Sequence, residues 1–320
     1  MKPANSPPLI TIVTPSYNQS RYLEETIQSV LQQDYPAIEY FIIDGGSTDS
    51  SVEIIRMYEK QLSGWVSERD RGQADAINKG FRRANGEFIA WLNSDDTYEP
   101  SAIGKAIETF QRHPEAGLVF GNVLSIDEHS QPFNLQTFRP YNLSDLMAFN
   151  IISQPAVFMR RSILEQAGCL DLDYHLLLDH HLWLRMAALA PMVYIPETLA
   201  SARYHAEAKN LARTADFGRE AFRIVDWMRN DPKLAPVFEL NLRRVFGGAH
   251  RLDAFYLLDG GFYSAALQAY GQAFRYNPPI ALRESHRIVY ALLALLGLAR
   301  LRELYVKVRT KLFGFSNPKS

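Results

Sequence analysis

Apolar and polar positions follow two different periods along residues 8–125. Short runs rich in β-branched residues, such as 9–14 and 39–43, predict buried strands. Between those runs, apolar residues recur every three or four positions, as in 21–32, and predict amphipathic helices. Further strands are predicted at 65–67, 87–92 and 119–125. Because strands alternate with helices, the pattern predicts an α/β fold with a doubly wound, mainly parallel sheet and helices on both faces.

The pattern changes after residue 125. The elements predicted next are strands at 155–159 and 192–195 and a helix at 179–188. Everything after about residue 215 is predicted to be helical. We therefore divide the chain into an α/β domain at 1–215 and an all-helical region at 216–320.

One pair of predicted helices in that region has a recognisable arrangement. Residues 251–258 and 262–274 flank Gly260 and Gly261 and resemble a single tetratricopeptide hairpin. The small residues placed at the crossing are Ala265, Ala266 and Ala269. One pair is not an array, so the pattern favours packing over a peptide-binding solenoid.

Charge is spread unevenly along the chain. The 320 residues carry a formal net charge of −1, which gives no general attraction to nucleic acid. Residues 281–320 nevertheless hold eight Lys and Arg against two Glu. Within 300–312, basic residues flank an apolar stripe formed by Leu301, Leu304, Tyr305, Val308 and Leu312. This pattern is typical of an interfacial helix on anionic lipid and equally of a helix packed on the protein with solvated edges. Both alternatives stay open, and an anionic membrane surface is a candidate partner.

A single cysteine bears on the compartment. Cys169 has no partner for an intrachain disulfide, so we expect a reducing compartment and a small buried hydrophobic side chain. Residues 1–8 are polar and proline-rich, unlike a secretory signal. The longest apolar stretch, 288–299, is too short to span a bilayer. We therefore expect a cytoplasmic protein. The basic tail suggests, as an alternative, a peripheral position on the cytoplasmic face of the membrane.

Small, polar and acidic residues follow three of the predicted strands. The segments are 14–18 (TPSYN), 44–49 (DGGSTD) and 93–96 (NSDD). In open α/β sheets, ligands bind beyond the carboxyl ends of the strands. Each segment alone is also good turn or helix-cap chemistry. Their common position at one edge of the sheet favours a binding site.

Asp95 and Asp96 are the most informative pair. Adjacent carboxylates repel each other unless a cation or hydrogen-bond donors compensate them. Hard oxygen ligands of this kind suit Mg²⁺ or Mn²⁺, which would bridge them to a diphosphate. The alternative is a capping role ahead of the helix that follows Ser101.

Taken together, these segments resemble the family 2 glycosyltransferases of the GT-A fold, over roughly residues 8–205. The matching motifs are 13–18 (VTPSYN), 43–49 (IDGGSTD), 70–80 (DRGQADAINKG), 86–96 (GEFIAWLNSDD) and Asp179 ahead of 182–185 (LWLR). Their order along the chain makes the resemblance specific. It implies an inverting transfer of a sugar from a nucleotide-diphosphate donor to a hydroxyl of a glycan or lipid-linked acceptor, in cell-surface polysaccharide synthesis.

The resemblance also implies which residues bind the donor. Thr14, Pro15 and Tyr17 would line the nucleotide pocket. Asp44 would accept a hydrogen bond from the base, and residues 70–79 would close over nucleotide and sugar. The implied donor-binding set is Thr14, Pro15, Tyr17, Asp44, Arg71, Asp75, Lys79, Ser94 and Asp95.

The same resemblance implies which residues bind the metal and which one acts as the catalytic base. Asp95 and Asp96 would hold the divalent cation, although Asn93 stands where the family carries the first aspartate of the motif. His205 would reach the metal or the diphosphate, or be structural, as a lone histidine more often is. Asp179 stands in the position of the catalytic base, which takes the proton of the acceptor hydroxyl as the new bond forms.

Two other functions were weighed. A dehydrogenase of the Rossmann type is excluded, because no G-x-G-x-x-G follows the first strand. A catalytically inactive nucleotide-sugar-binding or scaffold protein is the alternative, with the helical region as an interaction module. The carboxylates Asp95, Asp96 and Asp179 argue against it.

Overall fold

Four of the predicted strands form the parallel half of a nine-stranded sheet. β1 (Ile10–Ser16) lies between β2 (Ile38–Asp44) and β4 (Phe88–Trp91), and β3 (Gly64–Ser67) pairs with the other side of β2. β1 and β4 are buried along their whole length, as is typical of parallel strands covered on both faces. The structure, a computed structural model, describes residues 6–205 and 213–298.

The other half of the sheet is largely antiparallel. β4 pairs antiparallel with β8 (Val157–Arg160), β8 pairs antiparallel with β6 (Leu118–Ile126), and β6 runs parallel to β9 (Met192–Arg203). The remaining strands are β5 (Thr97–Tyr98), which pairs with β9, and β7 (Pro132–Gln136), which pairs with β6. The parallel order predicted from sequence therefore holds for β1–β4. The whole sheet is mixed, because β5, β7 and β8 run against their neighbours.

Helices cover the sheet and build its core. In chain order they are α1 (Leu23–Leu31), α2 (Ser51–Tyr58), α3 (Gln73–Phe81), α4 (Ala102–Arg112), α5 (Leu143–Met147), α6 (Arg161–Ala167) and α7 (Leu178–Ala187). One large apolar cluster joins β1, α1 and α4 through Ile12, Ile27 and Ile107. Phe88 of β4 stacks on Phe110 of α4 with ring centroids 4.4 Å apart. The apolar residues that recur within 21–32 therefore include those of α1 that pack in the core, such as Leu23, Ile27 and Val30.

Contacts divide the described chain into two units. The first holds 6–142 and 152–204, and the second holds 143–151, residue 205 and 213–298. The short helix α5 thus belongs to the second unit, where Asp145 accepts from Arg244 of the long helix at 3.1 Å. The domain boundary that we predict at residue 215 stays a prediction. No periodicity in the sequence marks 143–151 as part of the helical unit.

The second unit is helical, as predicted. Its further helices are α8 (Asp216–Asn230), α9 (Ala235–Asp259), α10 (Tyr263–Tyr276), α11 (Pro278–Leu282) and α12 (Ser285–Leu295). α9 and α10 form the expected pair and share a core with Ala254, Ala266, Ala269 and Tyr270. Ala265 is exposed, so its predicted place at the crossing is wrong. The helix turns its 266, 269 and 270 face inward, and residue 265 lies off that face.

Cys169 departs from its predicted environment. It is exposed, whereas we expect it to be buried. The cysteine lies in the loop between α6 and α7, and Arg185 of α7 binds the carbonyls of Ala167, Gly168 and Cys169 at 2.8–3.2 Å. The backbone of this loop is therefore held, while the thiol faces outward.

The basic tail at 300–312 lies outside the described residues. Within 6–205 and 213–298, no helix combines the length and the hydropathy needed to cross a bilayer. α12, which precedes the tail, exposes several large apolar side chains. They are Val289, Leu292 and Leu295, followed by Leu296 and Leu298 just after the helix.

Candidate active site

Polar side chains meet at the carboxyl edge of the four parallel strands. Ser16 at the end of β1 pairs in register with Asp44 at the end of β2, and Asp44 pairs with Ser67 at the end of β3. On the other side of β1, Val13 pairs with Trp91, after which the chain enters the segment 92–96. The segments singled out from the sequence therefore follow neighbouring strands at one edge, where ligands of open α/β sheets bind.

Asp44 holds the turn that follows β2. Its fully buried carboxylate accepts from the amides of Gly46 and Ser47 at 3.0 and 2.9 Å, from Ser67 Oγ at 2.6 Å, and from Ser47 Oγ at 2.5 Å. Gly46 has φ +82°, a conformation that glycine adopts without strain. The observed work of Asp44 is therefore to organise the turn. Acceptance of a hydrogen bond from a base stays a prediction.

The loops after β1 and β2 are hydrogen-bonded to each other. Asn18 donates its amide to Ser47 Oγ and accepts from the Thr48 amide through Oδ1, both at 2.8 Å. Ser20 donates its amide to Asp49 Oδ2 at 2.9 Å. Asp49 also accepts from the first amide of α2, the capping role expected for it. Ser47 and Thr48, also expected as caps, instead fix one loop against the other.

The three residues predicted to line a nucleotide pocket differ in exposure. Thr14 is fully buried, and its hydroxyl pairs with the Tyr40 hydroxyl at 3.0 Å. Pro15 is also buried within β1. Tyr17 has 60% of its surface exposed at the end of the strand. Of the three side chains, only the Tyr17 ring is open to a ligand in this structure. The buried Ser16 Oγ lacks a hydrogen-bond partner among the described residues.

The loop after β3 and the helix α3 together form a charged network. Asp75 is nearly buried and accepts from the Arg71 amide at 3.2 Å and from Arg71 Nη2 at 3.1 Å. Lys79 Nζ lies 2.8 Å from Glu68 and 4.0 Å from Asp75. The hydrogen bond from Arg71 lowers the pKa of Asp75 below its ordinary value. The structure thus brings Arg71, Asp75 and Lys79 together, with Asp75 held as a carboxylate.

Glycine allows this segment to approach the β2 turn. A Cβ on Gly45 would lie 2.5 Å from Asp70 Oδ2, so a larger residue there would require the Asp70 carboxylate to shift. Asp70 in turn accepts from the Gly72 amide at 2.8 Å, which shapes the turn into α3. The Gly-Gly pair of the motif therefore serves packing between two loops as well as turn geometry.

Asp96 is held by the protein itself. Its Oδ1 accepts from the Arg203 amide at 2.9 Å, and its Oδ2 accepts from Asn93 Nδ2 at 3.3 Å. Burial, and then the charge of Asp95, raise the pKa of Asp96 well above its ordinary value. Asp95 is more exposed, and Ser94 is buried in the same turn. Asp95 is therefore the carboxylate of the pair that is better placed to meet a ligand.

Asn93 joins three elements. Its Oδ1 accepts from Gln73 Nε2 at 2.7 Å, and its Nδ2 donates to Asp96 and to Gln154 Oε1, the latter at 3.1 Å. Gln154 Nε2 donates to the Trp91 carbonyl at 2.7 Å. An aspartate at position 93 could not donate either bond, so the departure from the family motif has a structural reason. Sequence reasoning missed Gln73 and gave no role to Gln154.

Arg203 is a second residue that sequence reasoning missed. Its side chain is 1% exposed and donates to the Asp95 carbonyl at 2.9 Å and to Glu25 at 2.6 Å. It also donates to the Asp127 carbonyl and Ser130 Oγ in the turn between β6 and β7. The only local signal was its position beside Tyr204 and His205 in the sequence, which drew attention to the histidine instead.

Asp179 lies in the first turn of α7. Its Oδ1 accepts from the His180 amide at 2.7 Å, as a residue that stabilises a helix N-terminus does. On the same helix, Leu182, Trp183 and Met186 are fully buried. The Trp183 indole stacks on Trp91 of β4 with centroids 5.2 Å apart. The helix that carries Asp179 is therefore anchored to the strand that leads into Asp95.

Few protein side chains are available at the predicted metal site. Across the described parts of the chain, no group of three or more His, Cys, Asp or Glu side chains is arranged to hold a metal ion. His205 is buried and belongs to the second unit, and its metal role stays a prediction. Asp95 and Asp96 are hard oxygen donors of mutually repelling charge, which a divalent cation would relieve. The residues fit a cation whose remaining ligands come from substrate oxygens and water.

Comparison with known proteins shows which proteins this chain is similar to. Residues 11–168 match the model of glycosyl transferase family 2. The chain is 32% identical over 169 residues to a putative teichuronic acid biosynthesis glycosyltransferase, TuaG, of Bacillus subtilis. The aligned region covers 51% of this chain and 66% of that protein. It spans 40% of the length of another curated relative. The similarity to family 2 glycosyltransferases therefore lies in the first half of the chain, over residues 11–168.

Solved structures share the fold over most of the chain. S. aureus TarS in complex with UDP-GlcNAc has a TM-score of 0.60 at 17% identity, covering 93% of this chain and 92% of that chain. Mannosyltransferase PcManGT from Pyrobaculum calidifontis, in complex with GDP-Man and Mn²⁺, has a TM-score of 0.63 at 20% identity, covering 94% and 88%. The predicted fold class, an α/β domain followed by helices, is confirmed.

Proposed function

We propose that this protein is an inverting glycosyltransferase that moves a sugar from a nucleotide-diphosphate donor to a hydroxyl of a glycan or lipid-linked acceptor. One observation carries the proposal. The exposed Tyr17, the turn of Asp44, the network of Arg71 and Asp75, and the Asp95 turn all follow the carboxyl ends of neighbouring parallel strands. An aromatic ring, cationic side chains and carboxylates at one edge suit a base, a diphosphate and a sugar respectively.

On the donor side, Tyr17 offers the exposed ring on which a base would stack. Arg71, with 73% of its side chain exposed, and Lys79 provide positive charge toward the diphosphate. Asp75 orients both cations and offers carboxylate oxygens to sugar hydroxyls. UDP-GlcNAc and GDP-Man in the structurally similar proteins support a nucleotide-sugar donor.

A divalent cation, Mg²⁺ or Mn²⁺, would be held by Asp95, with Asp96 behind it. Such an ion supplies charge neutralisation for the departing diphosphate. Asp96 contributes mainly by its fixed position, because both of its oxygens already accept protein hydrogen bonds. Mn²⁺ in the similar mannosyltransferase supports this choice of cofactor.

Asp179 is the proposed base on the acceptor side. Inversion needs a carboxylate that removes the acceptor proton while the hydroxyl attacks opposite the leaving diphosphate. The anchor of α7 on Trp91 ties this carboxylate to the strand that carries the donor site. Two carboxylates in separate roles are the same division of work that inverting glycosidases use.

The acceptor class and the location are further proposals. The relative named for teichuronic acid biosynthesis supports a role in cell-surface polysaccharide synthesis. A position on the cytoplasmic face of the membrane is supported by the exposed apolar side chains of α12 and by the basic charge of the sequence after it.

Nucleotide binding tests the proposal directly. In a thermal-shift panel, UDP, GDP and their sugars should raise the midpoint in the presence of Mn²⁺, because a ligand of the native state stabilises it. Tyr17→Ala should reduce that shift, since stacking on a base contributes about 1–3 kcal/mol in nucleic-acid-binding proteins. Phe133→Ala, an exposed aromatic on β7, is the matched control and should leave the shift unchanged.

The panel is followed by a transfer and donor-hydrolysis assay. Donor binding with turnover supports the enzyme. Donor binding without transfer or slow hydrolysis supports the inactive scaffold instead. The absence of binding to every nucleotide sugar, with or without metal, contradicts both.

A further inference from the structure

The side chain of Arg203, which none of the proposed steps uses, makes four hydrogen bonds at the site. Four acceptors surround its guanidinium. They are the Asp95 carbonyl, the Asp127 carbonyl, Ser130 Oγ and a Glu25 carboxylate oxygen. The guanidinium also lies 4.7 Å from the centre of the Tyr22 ring. Only 1% of the Arg203 side chain is exposed, so its guanidinium contacts other protein groups rather than solvent.

Arg203 binds the Asp95–Asp96 segment from two directions. Its side-chain Nε donates to the Asp95 carbonyl at 2.9 Å, and its own backbone amide donates to Asp96 Oδ1 at 2.9 Å. One residue therefore holds both the carbonyl of Asp95 and the side chain of Asp96. Because that carbonyl is part of the Asp95 backbone, its orientation helps set where the Asp95 carboxylate points.

Glu25 fixes the guanidinium in turn. It accepts from Arg203 Nη2 at 2.6 Å and from Ser130 Oγ at 3.0 Å, while its own side chain stays 48% exposed. Because Glu25 is half exposed, solvent screens this ion pair, and the pair alone is weak grounds for stability. Its geometry, however, restricts the guanidinium to the one orientation that reaches the Asp95 carbonyl.

We propose that Arg203 is a positioning residue that holds the Asp95–Asp96 turn in the geometry needed to bind a metal–diphosphate complex, with Glu25 as the residue that orients it. The inference rests on the proposed function, since it assumes metal-dependent donor binding at Asp95. Outer partners that orient metal ligands typically change metal affinity by about 10–100-fold when they are removed.

The test compares two matched pairs of variants. Arg203→Lys keeps the charge but cannot reach all four acceptors, and Glu25→Gln keeps the shape but loses the ion pair. Arg160→Lys and Glu87→Gln form the control pair, because Arg160 also bonds a carbonyl and a carboxylate in the same unit, with Ala116 and Glu87. Calorimetry measures UDP and GDP affinity for each chain in Mn²⁺ and in EDTA.

We expect the Mn²⁺ enhancement of nucleotide affinity to fall by about 10–100-fold in Arg203→Lys and by less in Glu25→Gln. Affinity in EDTA should be unchanged in both, and the control pair should keep the full enhancement. A merely structural role would lower the melting temperature and spare the enhancement. If Arg203→Lys does not fold, Glu25→Gln decides alone, because Glu25 is half exposed.

Two failures are distinguishable. Folded variants that keep the whole Mn²⁺ enhancement overturn the role of Arg203 and leave the proposed function standing. A wild-type chain that binds nucleotide equally well in Mn²⁺ and EDTA overturns the metal assignment itself, and the positioning role with it.

Discussion

The indole of Trp183 lies 5.2 Å from that of Trp91, with the two ring planes 23° apart. This stack joins α7, which carries Asp179, to β4, which leads into Asp95. Phe81 of α3 meets the same Trp91 ring edge-on at 5.9 Å. Aromatic contacts around Trp91 therefore connect the helix of the proposed base with the strand of the proposed metal ligand and with the helix that carries Asp75.

Removing the Trp183 ring should destabilise the protein. Trp183→Ala empties a fully buried site and should lower the free energy of unfolding by about 3–5 kcal/mol. Trp183→Phe should cost less, because it keeps a ring on Trp91, and the lost indole N–H has no hydrogen-bond partner among the described residues. Urea denaturation measures both. A Trp183→Ala chain within 1 kcal/mol of wild type would show that the stack does not anchor α7.

Two helix glycines give opposite predictions for the same substitution. A Cβ on Gly80 of α3 would lie 2.3 Å from Val13 Cγ1 in the buried β1 strand, so Gly80→Ala should destabilise by about 1–3 kcal/mol. A Cβ on Gly104 of α4 meets only Asp34 Oδ1 at 3.5 Å, so Gly104→Ala should stabilise by about 0.5–1 kcal/mol. Thermal and urea unfolding check both. Equal effects of the two substitutions would contradict the close approach of α3 to β1.

The local pattern of apolar residues was sufficient to predict where strands end. It did not predict which distant residues would contact the side chains at those ends. Asp44, Asp95 and Tyr17 each follow a short apolar run, so their arrival at one edge of the sheet could be inferred from sequence. Arg203 and Glu25 are 178 positions apart, and Asn93 and Gln154 are 61 apart. No period or spacing links such residues, because their contacts exist only once β8 and β9 join the sheet.

The sequence also did not predict which individual side chains would be exposed at the site. Thr14 and Asp44 belong to the segments expected to bind a ligand, yet the Thr14 hydroxyl pairs with Tyr40 and the Asp44 carboxylate accepts hydrogen bonds from its own turn. A sequence motif places a residue near a site and does not say which way its side chain points. The parallel half of the sheet was predicted for the same reason that the antiparallel half was not, since residues 126–205 lack a clear period.

Asp95 and Asp96 should respond differently to removal. Asp95→Ala should abolish the metal enhancement of nucleotide binding and change stability little, because Asp95 is the more exposed carboxylate. Asp96→Ala leaves the Arg203 amide without its acceptor and removes one of the two acceptors of Asn93 Nδ2, so it should cost about 1–3 kcal/mol of stability. Calorimetry with UDP or GDP, paired with urea unfolding, separates the two. Unchanged metal-dependent affinity in Asp95→Ala would remove it from the metal site.

The sequence after α12 should mediate salt-sensitive attachment to anionic vesicles. Each basic residue near such a surface contributes about 1 kcal/mol. Replacing Lys307, Arg309 and Lys311 with Gln should therefore release the protein from phosphatidylserine vesicles in co-sedimentation. Leu292→Ser, on the exposed face of α12, tests the apolar contribution separately. Equal binding to neutral and anionic vesicles, or binding to neither, contradicts an electrostatic anchor.

Asp179→Asn is the sharpest test of the chemistry, because it keeps the shape of the side chain and removes its basicity. Loss of a general base should lower the transfer rate by about 10²–10⁴-fold. Donor affinity should be unchanged, since Asp179 takes no part in the proposed donor contacts. Asp173→Asn, an exposed acid a few residues earlier, is the control and should transfer normally.

The competing role is structural and makes a different prediction. Asp179 accepts from the His180 amide in the first turn of α7, and an asparagine oxygen can accept the same bond. If that bond were the whole role of Asp179, Asp179→Asn would keep both its melting temperature and its transfer rate. A rate close to wild type with unchanged donor affinity would falsify the catalytic role and leave the helix contact. A large loss of rate in a chain of unchanged stability assigns the proton transfer to this carboxylate, because nothing else about the residue has been altered.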